Sequence, residues 1–248
     1  MKSLKGMKGI FFAIVSSGTF GLIPLFTIPL VNDMGMDEPS ILFYRFFLSA
    51  IMMLGICLVR KQNLKIPIAY LFPIFVLGAL YALTALFLVY SYNYISSGIA
   101  TTIHFLYPLC VSFLMVAFFK EQKSKALVFA ALLSLVGVAL MCWTGGGSVH
   151  SMGVILAALT ILTYGIYIVG LNQLEVGKLP AVVLTFYVIV AGAIIFLIYA
   201  IGTQGAVSEI PSIRAGWYLL LLAFLATVVS DFSLILAVKY AGSTVTAI

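Results

Sequence analysis

Charge is what this sequence has least of. Asp, Glu, Lys and Arg make up 8% of its 248 residues, where a soluble domain carries about a quarter. With 64% apolar residues and a mean hydropathy of +1.23, a soluble globular fold is excluded. Cysteine and histidine are nearly as scarce. Cys57, Cys110 and Cys142 fall in three separate apolar stretches without paired spacing, so neither a disulfide framework nor a metal site is indicated. Two histidines, His104 and His150, do not furnish a zinc site without unusual partners. Gly145-Gly146-Gly147 lacks the Gly-Lys-Ser/Thr ending of a phosphate loop and reads as a flexible turn, so no ATP-driven pump and no cofactor is expected. Long polar linkers are missing too, which leaves no room for a soluble module.

Long apolar runs are there instead. A helix of about 20 residues crosses the hydrocarbon core, and eight such stretches are predicted: 8–31, 39–59, 70–92, 98–119, 125–143, 152–171, 180–201 and 215–238. A ninth begins at Ser243 and stops at Ile248. The chain therefore reads as a fragment truncated inside a helix. The first span has no small-residue cleavage site after a short core, so it reads as a retained helix rather than a signal peptide.

The few positive charges fix an orientation. Of thirteen Lys and Arg residues, all but Arg45 and Arg214 fall in or beside alternate gaps: Lys2, Lys5 and Lys8; Arg60, Lys61 and Lys65; Lys120, Lys123 and Lys125; Lys178; and Lys239. The opposite gaps hold Asp33, Asp37 and Glu38, then an uncharged stretch, then Glu209 with Arg214. Cytoplasmic loops retain positive charge, so the N-terminus is predicted in the cytoplasm and the protein in the cell's inner (plasma) membrane, with multiple passes. The net charge of +6 thus records topology and does not signal nucleic acid.

The spans also repeat. Gly9, Ala13, Thr19, Phe20 and Gly21 match Gly153, Ala157, Thr163, Tyr164 and Gly165 at a constant offset of 144. Pro39 is echoed by Pro180, and the stretch from Tyr94 resembles that from Tyr240 at offset 146. The period contains five spans, an odd number, so the second copy enters the membrane from the opposite side. The predicted fold is an all-α polytopic inverted repeat of five plus five helices, with residues 8–142 as the first copy and 152–248 as an incomplete second. Inverted repeats of this kind place a midplane site at their interface and expose it to each side in turn.

Five-plus-five inverted spans, with Arg45 early in span two, Tyr107-Pro108 in span four, Glu121 at its cytoplasmic end and Gly137-Val138 in span five, resemble the drug/metabolite transporter superfamily, EamA type. The resemblance covers the first copy fully and the second as far as the chain runs. It implies a secondary transporter, an exporter, importer or exchanger of amino acids, related metabolites or drugs, often coupled to protons.

Ionisable groups inside spans are costly and are functional candidates by default. Three occur: Arg45, His104 and Asp231. Arg45 and His104 are each about 9 Å in from the outer end at the helical rise. They are expected to share one level of a cavity, contacting an anionic group or a coupling proton. The competing reading of Arg45 is snorkelling or a structural bond to helix-end carbonyls, and that of His104 is a bond to a neighbouring helix. Thr101, His104, Pro108, Ser112 and Met115 recur at three- and four-residue steps and form one polar stripe. Pro108 removes a backbone donor near midmembrane and suits a hinge or a site wall. Asp231 is expected nearer the cytoplasmic end, either cycling a proton or holding a static partner, and too far from Arg45 for an assumed pair. Tyr81, Tyr164 and Tyr167 are interior aromatics that could line a cavity, whereas Tyr90, Tyr92, Tyr94 and Tyr107 read by default as interfacial. Gly9, Ala13, Ser17 and Gly21 form a small-residue seam for close helix packing.

Expected partners are a small-molecule substrate, protons, the lipid bilayer and a second copy of the chain as a homodimer. The alternatives are an intramembrane enzyme, which needs a tighter constellation than Arg45, His104 and Asp231 offer, and a non-transporting scaffold or channel.

Overall fold

The computed structural model describes residues 2–120, 129, 136 and 150–247, and among these every regular element is helical. In chain order they are α1 (Lys2–Phe20), α2 (Ile23–Asn32), α3 (Glu38–Val59), α4 (Leu71–Ser91), α5 (Ser97–His104) and α6 (Tyr107–Phe119). Then come α7 (Ser151–Gln173), α8 (Ala181–Gln204), α9 (Ile213–Ala223), a π-helical turn (Phe224–Val229) and α10 (Ser230–Ala247). They make seven runs long and apolar enough to cross a membrane, so this is a multi-pass membrane protein. The span expected over 125–143 lies outside the described residues.

Local chemistry sets the helix ends. Asp37 caps α3 by accepting from the Ser40 amide at 2.8 Å, with Glu38 and Pro39 in the first turn; these residue types suit a helix N-terminus. Ser96 and Ser212 cap α5 and α9 in the same way. Gly205, at φ +79°, closes α8 in the left-handed conformation that costs glycine least.

Four predicted spans are built differently from single rods. Span one breaks at Gly21-Leu22, immediately before Pro24 in the first turn of α2. Span four breaks at Phe105-Leu106. Pro108 therefore opens α6 rather than interrupting a helix, and the polar stripe runs over two helices. Spans eight and nine are one helical run, Ile213–Thr246, whose backbone departs from helical geometry at Gly242, at φ +82°. The new start at Ser243 coincides with that departure.

Packing is by pairs. α1 lies along α10, α4 along α7, and α3 along α8; α4 also packs on α8, and α3 on α9. Glycine permits the closest approaches, because a Cβ at Gly9 would stand 2.5 Å from Ala241 Cβ, and one at Gly153 would stand 2.8 Å from Ile95 Cγ2. One apolar core gathers around Phe46, Tyr81, Tyr167 and Leu184. A second gathers around Phe20, Ile23, Ile41 and Leu219.

Candidate functional site

Where the two cores meet, polar groups are buried together. Arg45, 1% exposed, donates from Nε to Thr227 Oγ1 at 2.6 Å and from Nη2 to the Ala226 carbonyl at 3.2 Å. Both acceptors belong to the π turn. One helical turn after Arg45, Ser49 Oγ shares its one proton between the Arg45 carbonyl at 2.6 Å and the Ala223 carbonyl at 3.0 Å. A π turn misaligns carbonyls that an α-helix would keep for itself, and Arg45 satisfies that of Ala226. Arg45 neither snorkels nor spends its whole fork on the backbone: Nη1 is buried and completes no hydrogen bond of good geometry, with the Tyr81 hydroxyl close to the guanidinium.

Asp231 follows Thr227 by one turn. Its Oδ1 accepts from the Tyr167 hydroxyl at 2.7 Å, and its Oδ2 is buried and unpaired. The sequence put Asp231 at a different depth from Arg45. In the fold, Arg45's own partner is four residues away, and the Tyr81 hydroxyl stands in the fields of both charged groups. Among the described residues no ion pair joins Arg45 to Asp231. The difference arises because the depth of Asp231 is counted back from Lys239, whereas the helical run continues past that residue to Thr246. Tyr81 OH makes no hydrogen bond of good geometry.

His104, at the end of α5, is fully buried, with Nδ1 2.9 Å from Thr160 Oγ1. Thr160 spends its only proton on the Ala157 carbonyl at 2.5 Å, so Nδ1 must carry the hydrogen of that contact. Nε2 has no partner. Phe20 stacks on the imidazole at 4.8 Å, and Tyr164 and Tyr107 flank it at 5.0 and 5.4 Å between ring centres. The rings continue from Tyr164 to Tyr167 at 5.9 Å, Tyr81 at 5.3 Å and Phe46 at 5.3 Å, with the Arg45 guanidinium 5.6 Å from the Phe46 ring.

Of the residues singled out in the sequence, Arg45, Tyr81, His104, Tyr164 and Asp231 thus lie along one continuous aromatic wall. Pro108 stands at its edge beside Tyr107, and it brings no N–H to the His104 carbonyl one turn back. Phe20, Thr160 and Thr227 went unmarked, and Tyr107 is buried in the wall rather than interfacial. A ring or hydroxyl in an apolar span carries no signal until its neighbour is known. Four helices thereby deliver a guanidinium, a phenol, an imidazole and a carboxyl group, each with one unpaired atom, to one aromatic-walled region. The guanidinium and the carboxyl group bring both signs of charge to that region.

No curated protein matches the chain. A solved crystal structure is similar with a TM-score of 0.73 at 16% identity, 96% of this chain covering 85% of that one, which is a likeness of fold. Residues 7–143 match the EamA-like transporter family. That match takes in more than half of the chain, which therefore belongs to the EamA-like transporter family, within the drug/metabolite transporter superfamily.

Proposed function

We propose that this protein is a secondary transporter that moves small organic solutes such as amino acids across the inner membrane, by alternating access between two inverted five-helix repeats. The buried cluster carries the reading. Arg45 Nη1 suits a carboxylate, Asp231 Oδ2 an ammonium group, and the rings of Tyr81, Tyr164 and Tyr167 a flat apolar portion. Leaving polar atoms unpaired away from water is unfavourable by about 1–3 kcal/mol each, which a solute or water in transit would offset.

Support for the repeats comes from the packing. Exchanging span one with six, two with seven and three with eight turns the α1–α10 contact into the α7–α4 contact and returns the α3–α8 contact to itself. Gly9 against Ala241 has its counterpart in Gly153 against Ile95, at the offsets 144 and 146 of the sequence repeat. Tyr44 OH donates to the Ser208 carbonyl at 2.9 Å, and Tyr187 OH to the Leu64 carbonyl at 2.6 Å, a matched pair of bonds from the two copies. The lysine-rich gaps orient the N-terminus to the cytoplasm.

An intramembrane hydrolase is disfavoured by one bond. The hydroxyl nearest His104 gives its proton to a backbone carbonyl instead of the imidazole, so it is not an activated nucleophile. The test is flux into proteoliposomes of the native protein, against a panel of amino acids and metabolites, with and without a pH gradient. Saturable flux of a zwitterion is expected, and no flux of any solute above empty liposomes would remove the reading.

A further inference from the structure

We infer that a second, outer recognition site, for an organic ammonium group, lies at the acidic end of the bundle, apart from the central cluster. The C-terminal ends of α2 and α4 and the N-terminal ends of α3 and α5 enclose a cavity of about 290 Å³, whose polar lining includes Thr27, Asn32, Glu38, Tyr92, Asn93 and Ser96. That volume is at the small end of the range for organic ligands, about 300–1,000 Å³.

Its chemistry has one sign. Glu38 is the charged residue of the lining, and no Lys or Arg contributes to it. One Glu38 oxygen, Oε1, accepts from Asn93 Nδ2 at 2.8 Å. Thr27 is 1% exposed and its hydroxyl has no hydrogen-bond partner. The Tyr92 hydroxyl, also on the lining, stands beside Thr101 without completing a hydrogen bond of good geometry.

A carboxylate, two hydroxyl oxygens and apolar flanks from Ile28 and Val31 match the three donors of an ammonium and its carbon chain. A carboxylate ligand would meet Glu38 head-on. The surroundings agree. Asp33 and Asp37 stand at the same end, and Asp37 is committed to Ser40 and Ser208. Arg214 is engaged over the Tyr218 ring at 5.6 Å. Arg45, whose field reaches Tyr92, lies behind that lining and is tied to the π turn through Nε and Nη2, so Glu38 is the charge a ligand meets in the cavity itself. An acidic mouth of this kind concentrates cations at the opening.

The inference does not depend on what the central cluster carries, and its test reads no flux. Cys57, Cys110 and Cys142 are replaced by alanine and a single reporter is introduced, Ile28→Cys within the cavity or Asn32→Cys at its mouth. Each is modified in membranes by a cationic trimethylammonium-ethyl methanethiosulfonate and by its anionic sulfonatoethyl analogue. The cationic reagent is expected to react roughly tenfold faster, in the range of electrostatic focusing. n-Butylammonium should slow it and butyrate should not, and Glu38→Gln should abolish both the preference and the protection. Equal rates, a preference that survives Glu38→Gln, or no reaction at either reporter would overturn the site.

Discussion

Arg45 extends three nitrogens toward partners and finds two, so its replacement separates structure from transport. Arg45→Lys keeps the charge but not the fork and should retain the fold while lowering flux at least about tenfold, as expected for a lost charge-assisted bond. Arg45→Met should in addition unpair the Ala226 carbonyl and lower the Tm, measured by thermal unfolding in detergent. His104→Gln can still donate to Thr160 and should keep the Tm. It should also flatten the pH dependence of flux, and a wild-type rate and pH profile would remove His104 from the path. Arg45, His104 and Asp231 stand out in the sequence because an ionisable group in an apolar run is costly. Thr160 and Thr227 do not, since a membrane-helix threonine most often bonds its own backbone, as Thr84 does to Leu80 at 2.8 Å. Which threonine meets a histidine is decided by helices 56 residues apart.

Among the helices, the contact of Gly9 with Ala241 is the sharpest constraint on how α1 lies against α10. Gly9→Ala should destabilise by about 1–3 kcal/mol through overpacking. Adding Ala241→Gly should restore most of that loss, with a coupling energy on the order of 1 kcal/mol between the two positions, read as Tm or denaturant midpoints of the four proteins. Of the small residues Gly9, Ala13, Ser17 and Gly21, Gly9 makes the close helix contact, whereas a Cβ at Gly21 would meet only carbonyls of its own helix; composition names no neighbour. Span lengths were legible in the sequence, whereas the breaks at Gly21-Leu22 and Phe105-Leu106 were not. Both occur inside apolar stretches, and the prolines that mark them, Pro24 and Pro108, sit just after the break, in the first turn of the next helix.

For the whole molecule, the proposed orientation predicts that alkaline phosphatase fused after Lys65 or after Lys178 is inactive and that a fusion after Gly205 is active. Activity after only one of the first two would refute the antiparallel arrangement. At the acidic end, Ser208 joins the α8–α9 connection to α3: its amide donates to Ser40 Oγ at 2.9 Å, its hydroxyl to Asp37 Oδ2, and its carbonyl accepts from Tyr44. Burial pushes the Asp37 carboxyl up, but the hydrogen bonds from Ser208 and Ser40 outweigh it and hold the group below its ordinary value of 3.8. The clamp's stability is therefore fully present above pH 3.8 and is lost as the pH falls through the still lower folded value. Protection of the Ser208 amide from hydrogen exchange, corrected for intrinsic rates, should be constant from about pH 5 to 8. It should fall in more acidic buffer, and Asp37→Asn should lower it throughout. The charge map behind the proposed topology can be read because so few charges exist to blur it. The Ser208 clamp cannot, since it is made by ordinary serines brought together across 168 residues.

The six residues Phe224–Val229 wind more loosely than the helices on either side. Each residue of an α-helix advances the azimuth by about 100°, so tightening that coil by one residue would swivel everything beyond it, with Asp231 first in line. The guanidinium is bonded to that coil, so a ligand drawing Arg45 aside would be geared to a rotation of the carboxyl group one turn on.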